Sequence, residues 1–159
     1  MDIRPLVNAD IPALAALLRE LALEYIVHES SPEGASTFLA ENDEMGVRGF
    51  LARGHVYHVA CDADGALAGF IAVRDNSHLF HLFVGKRWQR RGLAQRLWDT
   101  ARAAALTRGG DGAFTVNASN YAVPVYEAFG FVRVGPTQCV KGLYFNPMRL
   151  EPAQGGDAH

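Results

Sequence analysis

Gln89-Arg90-Arg91-Gly92-Leu93-Ala94 lies between an apolar, strand-like run, Leu79-Phe80-His81-Leu82-Phe83-Val84, and a helix-patterned segment that continues to about Thr107. Gly92 and Ala94 let the backbone turn tightly and come close to a ligand. The N–H groups at the start of the following helix have no carbonyl of their own helix to bond, so they point at whatever lies before them. With the positive end of the helix dipole and the Arg90/Arg91 pair, they make an anion site suited to a pyrophosphate. The spacing is not the Rossmann glycine pattern, and the Lys-Ser/Thr ending of a P-loop is missing. A basic helix start with no ligand is the plain structural alternative.

Outward from this junction, strands and helices alternate. Ile3 to Val7 reads as a short strand. Asn8 or Asp10 is placed to cap a helix with Pro12 in its first turn and Leu14, Leu17, Leu18 and Leu21 at helical spacing. Ser30-Ser31-Pro32-Glu33 is a second helix start, followed by a less regular apolar set from Phe38 to Leu51 that ends at Gly54. Val56–Cys61 and Leu67–Val73 predict a hairpin around Asp62-Ala63-Asp64-Gly65, and His78–Val84 a third strand. Beyond the junction helix, which ends at Gly109-Gly110, come a strand at Ala113–Val116 and a helix at Tyr121–Phe129 stopped by Gly130. A last hairpin, Phe131–Val134 with Cys139–Phe145, is expected to turn at Gly135-Pro136. The pattern is one mixed α/β domain over residues 1–150, with a loose tail at 151–159.

Composition narrows the function classes. A chain of 159 residues, 49% hydrophobic, can bury one substantial core. A net charge of −2 gives no support for nucleic acid as a partner. Residues 1–50 carry nine acids against three basic residues, whereas Lys86 to Arg91 alone holds four basic residues. That asymmetry predicts a cationic substrate beside an anionic cofactor, unless the acids are ordinary solvated helix faces. Cys61 and Cys139 make no disulfide framework, and no apolar run is long enough to span a membrane. A reduced, cytoplasmic protein with no membrane partner is the expectation.

A second constellation follows the first by about thirty residues: Asn117-Ala-Ser-Asn120-Tyr121-Ala-Val-Pro-Val-Tyr126-Glu-Ala-Phe-Gly-Phe131. The two together resemble the GNAT superfamily of acetyl-CoA-dependent N-acetyltransferases, over roughly Ile3 to Leu150. Gln89-Arg-Arg-Gly-Leu-Ala94 is similar to that family's Gln/Arg-x-x-Gly-x-Gly/Ala pyrophosphate loop, and Tyr126-Glu-Ala-Phe-Gly-Phe131 to its Tyr-x-x-x-Gly-Phe element. The resemblance implies a mixed, mostly antiparallel central sheet with splayed strands and flanking helices, and acetyl-CoA as co-substrate. It implies that backbone groups of Phe83 and Val84 meet the pantetheine arm as an added strand would. Gln89, Arg90, Arg91, Gly92, Leu93, Ala94 and Gln95 would wrap the pyrophosphate, and Asn117 would bond the arm. Asn120 either caps the helix that carries Tyr126 or contacts the ligand.

The implied chemistry is attack of an amine on a thioester. A free alkyl amine, with a pKa near ~10.4, is almost wholly protonated at neutral pH, so a base is useful. The departing thiolate needs a proton, and Tyr126 matches the family position for that acid. Its plain alternative is a core tyrosine. Many members place a glutamate thirteen residues before the loop arginine, where this chain has His78. His78 or His81 is then the candidate base, or both are ordinary strand histidines. His81 faces the other side of the sheet unless a bulge reverses the alternation. The His-x-x-His spacings at 55/58 and 78/81 invite a zinc reading, but no cysteine or carboxylate pattern accompanies them, and no metal is expected. The acceptor, a small-molecule or peptide amine, would sit between the first two helices and the hairpin Val56–Val73, with Glu24, Tyr25, His28, Glu29 and Asp75 as contributors, unless these are ordinary exposed-face residues. Glu24 and His28, one helical turn apart, would share a face. A regulatory module that binds acetyl-CoA without transferring it is the alternative from another class. Edge strands and the last hairpin leave a homodimer open.

Overall fold

The computed structural model describes residues 1–152. The expected loose tail lies outside the described residues apart from Glu151 and Pro152. Five helices flank the strands: α1 (Ile11–Tyr25), α2 (Pro32–Glu41), α3 (Glu44–Ala52), α4 (Leu93–Thr107) and α5 (Val123–Ala128). The strands are β1 (Asp2–Pro5), β2 (Val56–Cys61), β3 (Leu67–Arg74), β4 (His78–Val84), β5 (Phe114–Ala118), β6 (Val132–Arg133), β7 (Gln138–Val140) and β8 (Leu143–Leu150). Their order is β1-β2-β3-β4-β5-β8-β6, with β7 paired to β8 off this path. Only β4 and β5 run parallel; every other pairing is antiparallel. No helix of the described residues is long and apolar enough to cross a membrane.

Two apolar layers sandwich the sheet, and the alternation of β3 sorts its residues between them. Phe70 and Ala72 face α1 and α3, packing with Ile11, Leu14, Leu18 and Val47. Ile71 and Val73 face α4, packing with Leu97, Trp98 and Ala101. Trp98 anchors the second layer, with ring centroids 4.9 Å from Phe114, 5.9 Å from Phe129 and 5.7 Å from Phe131.

Several local expectations shift. Asp10 stands at the N-terminus of α1 but makes no cap bond. Its carboxylate instead accepts from Arg4 at 2.8 and 2.9 Å and from the Val7 N–H at 2.8 Å, and Arg4 holds it below the usual carboxylate range. The apolar set from Phe38 to Leu51 divides into α2 and α3, because Asp43 accepts from the Gly46 N–H and starts a new helix. Ser31 caps α2 as its sequence predicts.

The last hairpin is corrected. β7 and β8 turn at Lys141-Gly142, both at positive φ (52° and 82°), and β6 pairs with β8 rather than with β7. Packing decides this, since α2 starts directly against that turn. The Ser31 N–H donates to the Gly142 carbonyl at 3.1 Å, and a Cβ at Gly34 would come within 2.7 Å of the Lys141 carbonyl oxygen. The contact brings α2 over the β8 hairpin and forms one wall of the site.

Candidate active site

β4 and β5 are bonded only at His78↔Thr115 and Leu79↔Val116. Beyond Leu79 they separate, and a cavity of about 720 Å³ occupies the gap. On its other edge β4 carries a bulge: Ala72 faces His81 and Val73 faces Leu79, which leaves Phe80 without a partner. Phe80 and His81 therefore both turn toward the α1–α3 face, and the alternation reverses there. The far side of the gap is held by Asn146, which is fully buried. It donates to the Ala118 carbonyl at 3.0 Å and to Asn120 at 2.8 Å, and accepts from Arg133 and Thr137 at 2.6 Å each.

The N-terminus of α4 lines the cavity. Gly92 takes φ 79° at the start of α4, and Arg90 takes φ 62° just before it. The first bond of the helix is Arg96 N–H to Gly92 carbonyl, so the N–H groups of Leu93, Ala94 and Gln95 have no carbonyl within the helix. Arg90, Gly92, Leu93, Ala94 and Gln95 all line the cavity, as do Phe83, Val84 and Asn117. The other basic residues are placed differently. Arg87 and Arg91 lie over the Trp88 ring, 4.9 and 5.7 Å from its centroid, and Lys86 pairs with Glu24 at 2.8 Å. Gln89 crosses the gap: it donates to the Val84 carbonyl at 2.9 Å and accepts from the Tyr121 hydroxyl at 3.0 Å. Asn120 does not cap α5. Ser119 accepts from the Ala122 N–H, while Asn120 donates to Glu29 at 2.6 Å.

Tyr126 lines the same cavity from α5, 5% exposed, with its ring 5.9 Å from Phe129 and 5.8 Å from Phe131. No hydrogen bond joins its hydroxyl to another described residue. Burial raises its pKa, so the phenol keeps its proton at neutral pH.

The two histidines fare differently. His78 bonds Thr115 at 2.7 Å at the closed end of the gap and does not line the cavity. His81 does line it, but both ring nitrogens are occupied. Asn42 donates its amide to the Phe38 carbonyl, which turns its oxygen toward His81 Nε2 at 3.0 Å. Nε2 therefore carries the proton, and Nδ1 accepts from the Tyr57 hydroxyl at 3.1 Å. Burial lowers the His81 pKa to about 3 and the His78 pKa to about 4. Among the described residues no group of three or more His, Cys, Asp or Glu is placed to hold a metal ion.

These depressions set an acid limit on stability. The unfolded histidine, with a pKa near ~6.5, takes a proton before the folded one does. The stabilisation is complete above that value and falls away as pH drops toward about 3 for His81. At ~1.4 kcal/mol per pH unit, His81 alone should make the protein roughly 2 kcal/mol less stable at pH 5 than at pH 7. Urea unfolding of wild type and His81→Gln at both pH values checks this; an equal pH loss in the variant overturns it.

Of the residues expected to receive the acceptor, Tyr25 lines the cavity, stacked on Tyr121 at 3.9 Å. Glu24 is engaged by Lys86, and Asp75 lies beside Arg74 at 3.6 Å in the β3–β4 turn. His28 sits 3.4 Å from Glu29 in a 3₁₀ turn after α1 ends, so it does not share a helix face with Glu24. The hairpin β2–β3 contributes nothing to the lining; Leu143, Tyr144 and Phe145 of β8 form that wall instead. No aspartate or glutamate lines the cavity, so the acids of the first third do not form its wall. Tyr121 could have been singled out as part of the second motif, whereas nothing local marks Asn42, Tyr57 or the β8 residues.

A family model described as an acetyltransferase (GNAT) domain matches residues 26–152. The chain belongs to the GNAT acetyltransferase family. Solved structures share this GNAT fold at low identity. A GCN5-related N-acetyltransferase from Rhodopseudomonas palustris has a TM-score of 0.77 at 22% identity, over 94% of each chain. The PaiA N-acetyltransferase of Thermoplasma acidophilum, in complex with coenzyme A, has a TM-score of 0.74 at 18% identity, over 94% of this chain and 98% of its own. YncA from Salmonella typhimurium, with its cofactor acetyl-CoA, has a TM-score of 0.67 at 17% identity, over 97% and 95%. No curated protein matches the sequence.

Proposed function

We propose that this domain, residues 1–150, moves an acetyl group from acetyl-CoA to a primary amine of a small molecule or peptide, by direct attack while both are bound. One observation carries the reading: the residues at the start of α4, with Arg90, and Tyr126 of α5 line a single cavity between strands that have separated. Acetyl-CoA supplies the acetyl group as a thioester. The N–H groups of Leu93, Ala94 and Gln95 and the Arg90 guanidinium hold the pyrophosphate. The edge of β4 at Phe83 and Val84, unpaired toward β5, receives the pantetheine arm, with Asn117 facing it across the gap.

The new N–C bond forms as the C–S bond breaks. A backbone N–H near Phe83 or Val84 stabilises the charge that grows on the carbonyl oxygen. Tyr126 gives its proton to the departing sulfur. The amine loses its own proton to water, because His81 has no free nitrogen, His78 lies outside the cavity and no carboxylate lines it. Neutral Tyr57–His81–Asn42 instead fixes the bulged strand.

Calorimetry with acetyl-CoA and a free-thiol assay against a panel of amines test the reading. Micromolar binding and thiol release are expected, with the rate for an alkyl amine rising about tenfold per pH unit below the amine's own pKa. Binding without thiol release would identify a sensor module instead.

A further inference from the structure

Much of the cavity lining is apolar, and no aspartate or glutamate is part of it. Leu21, Tyr25 and Ile26 reach it from the end of α1, Phe38 from α2 and Phe80 from the bulge of β4. Leu143, Tyr144 and Phe145 close it from β8. Two aromatic side chains at this cavity, Tyr121 at 48% and Tyr144 at 44%, are exposed far beyond what a packed core residue shows. Exposed aromatics around a cavity mark a binding surface.

Charge points the same way. No aspartate or glutamate lines the cavity. The nearby acids are held elsewhere: Glu24 by Lys86 at 2.8 Å, Glu29 by Asn120 at 2.6 Å, and Asp43 by the start of α3. A second ammonium group on the acceptor would find no carboxylate in the lining.

We infer that the acceptor is a small amine whose skeleton is aromatic or bulky and apolar, with no second positive charge. The inference rests on the acetyl-transfer reading and narrows its substrate. A phenyl ring buried against Phe38, Phe80 and Tyr144 strengthens binding by about 100-fold over the same amine without the ring.

The test compares 2-phenylethylamine, ethylamine and spermidine as acceptors of wild-type protein, with free thiol as readout and acetyl-CoA binding measured separately. The kcat/KM for 2-phenylethylamine should exceed that for ethylamine about 100-fold, with spermidine no better than ethylamine. Phe38→Asp should shrink the first ratio to about tenfold or less and leave acetyl-CoA affinity in place. If that variant does not fold, Tyr144→Asp, at an exposed position, serves the same purpose. Ethylamine or spermidine matching 2-phenylethylamine overturns the inference. So does acetyl-CoA binding with no turnover of 2-phenylethylamine. Absence of acetyl-CoA binding overturns the acetyl-transfer reading itself.

Discussion

Gly92→Asp lowers acetyl-CoA affinity at least 100-fold while the protein stays folded. Gly92 holds φ 79° at the start of α4, and a Cβ there would meet nothing within 4 Å. The substitution therefore strains the backbone without a clash, at a cost of roughly 1–2 kcal/mol, to which aspartate adapts better than most residues. For a chain of this size that is a loss of about 2–4 °C in Tm per kcal/mol. The carboxylate, however, would put a negative charge beside the N–H groups proposed to hold the pyrophosphate. Two unit charges about 4 Å apart near a protein surface repel by about 4 kcal/mol, and 2.8 kcal/mol already equals ~100-fold in affinity. Gly92→Ala carries the same strain and no charge, so it should weaken binding by less than about tenfold. Calorimetry on both variants decides the matter: equal losses would mean that backbone shape rather than charge governs the loop.

Tyr126→Phe should lower kcat by about 100-fold or more and leave the acetyl-CoA dissociation constant within about twofold. The ring keeps its seat against Phe129 and Phe131, so packing is preserved. Removing a buried hydroxyl that bonds no described residue costs no hydrogen bond, and Tm should hold or rise. Single-turnover kinetics beside calorimetry separate the two roles. If kcat and affinity fall together, Tyr126 is a packing residue and the sulfur takes its proton from elsewhere.

The strand–loop–helix junction, the Tyr-x-x-x-Gly-Phe element and most strands were legible because each rests on neighbours within a few residues. Alternation along β3 and the helical stripe of α4 need only the local period. The base was not legible in this way. His78 and His81 share a strand and a residue type, yet one ends at Thr115 and the other between Tyr57 and Asn42. Those partners lie 24 to 39 residues away in the chain, and no local pattern announces them. The placement of the acidic first third was hidden for the same reason. Its charges were countable, but Lys86, Asn120 and Arg4 take up three of them at contacts that exist only after folding.

By itself the sequence determined the family, the strand–loop–helix junction at Gln89–Ala94 and the element that carries Tyr126, since backbone turns and helix starts are encoded by adjacent residues. The tertiary structure alone decided that His81 has no free nitrogen and that β8 replaces the β2–β3 hairpin as a wall. It also decided that no aspartate or glutamate lines the cavity. These depend on which distant segments meet once α2 packs on the Lys141-Gly142 turn and β4 parts from β5.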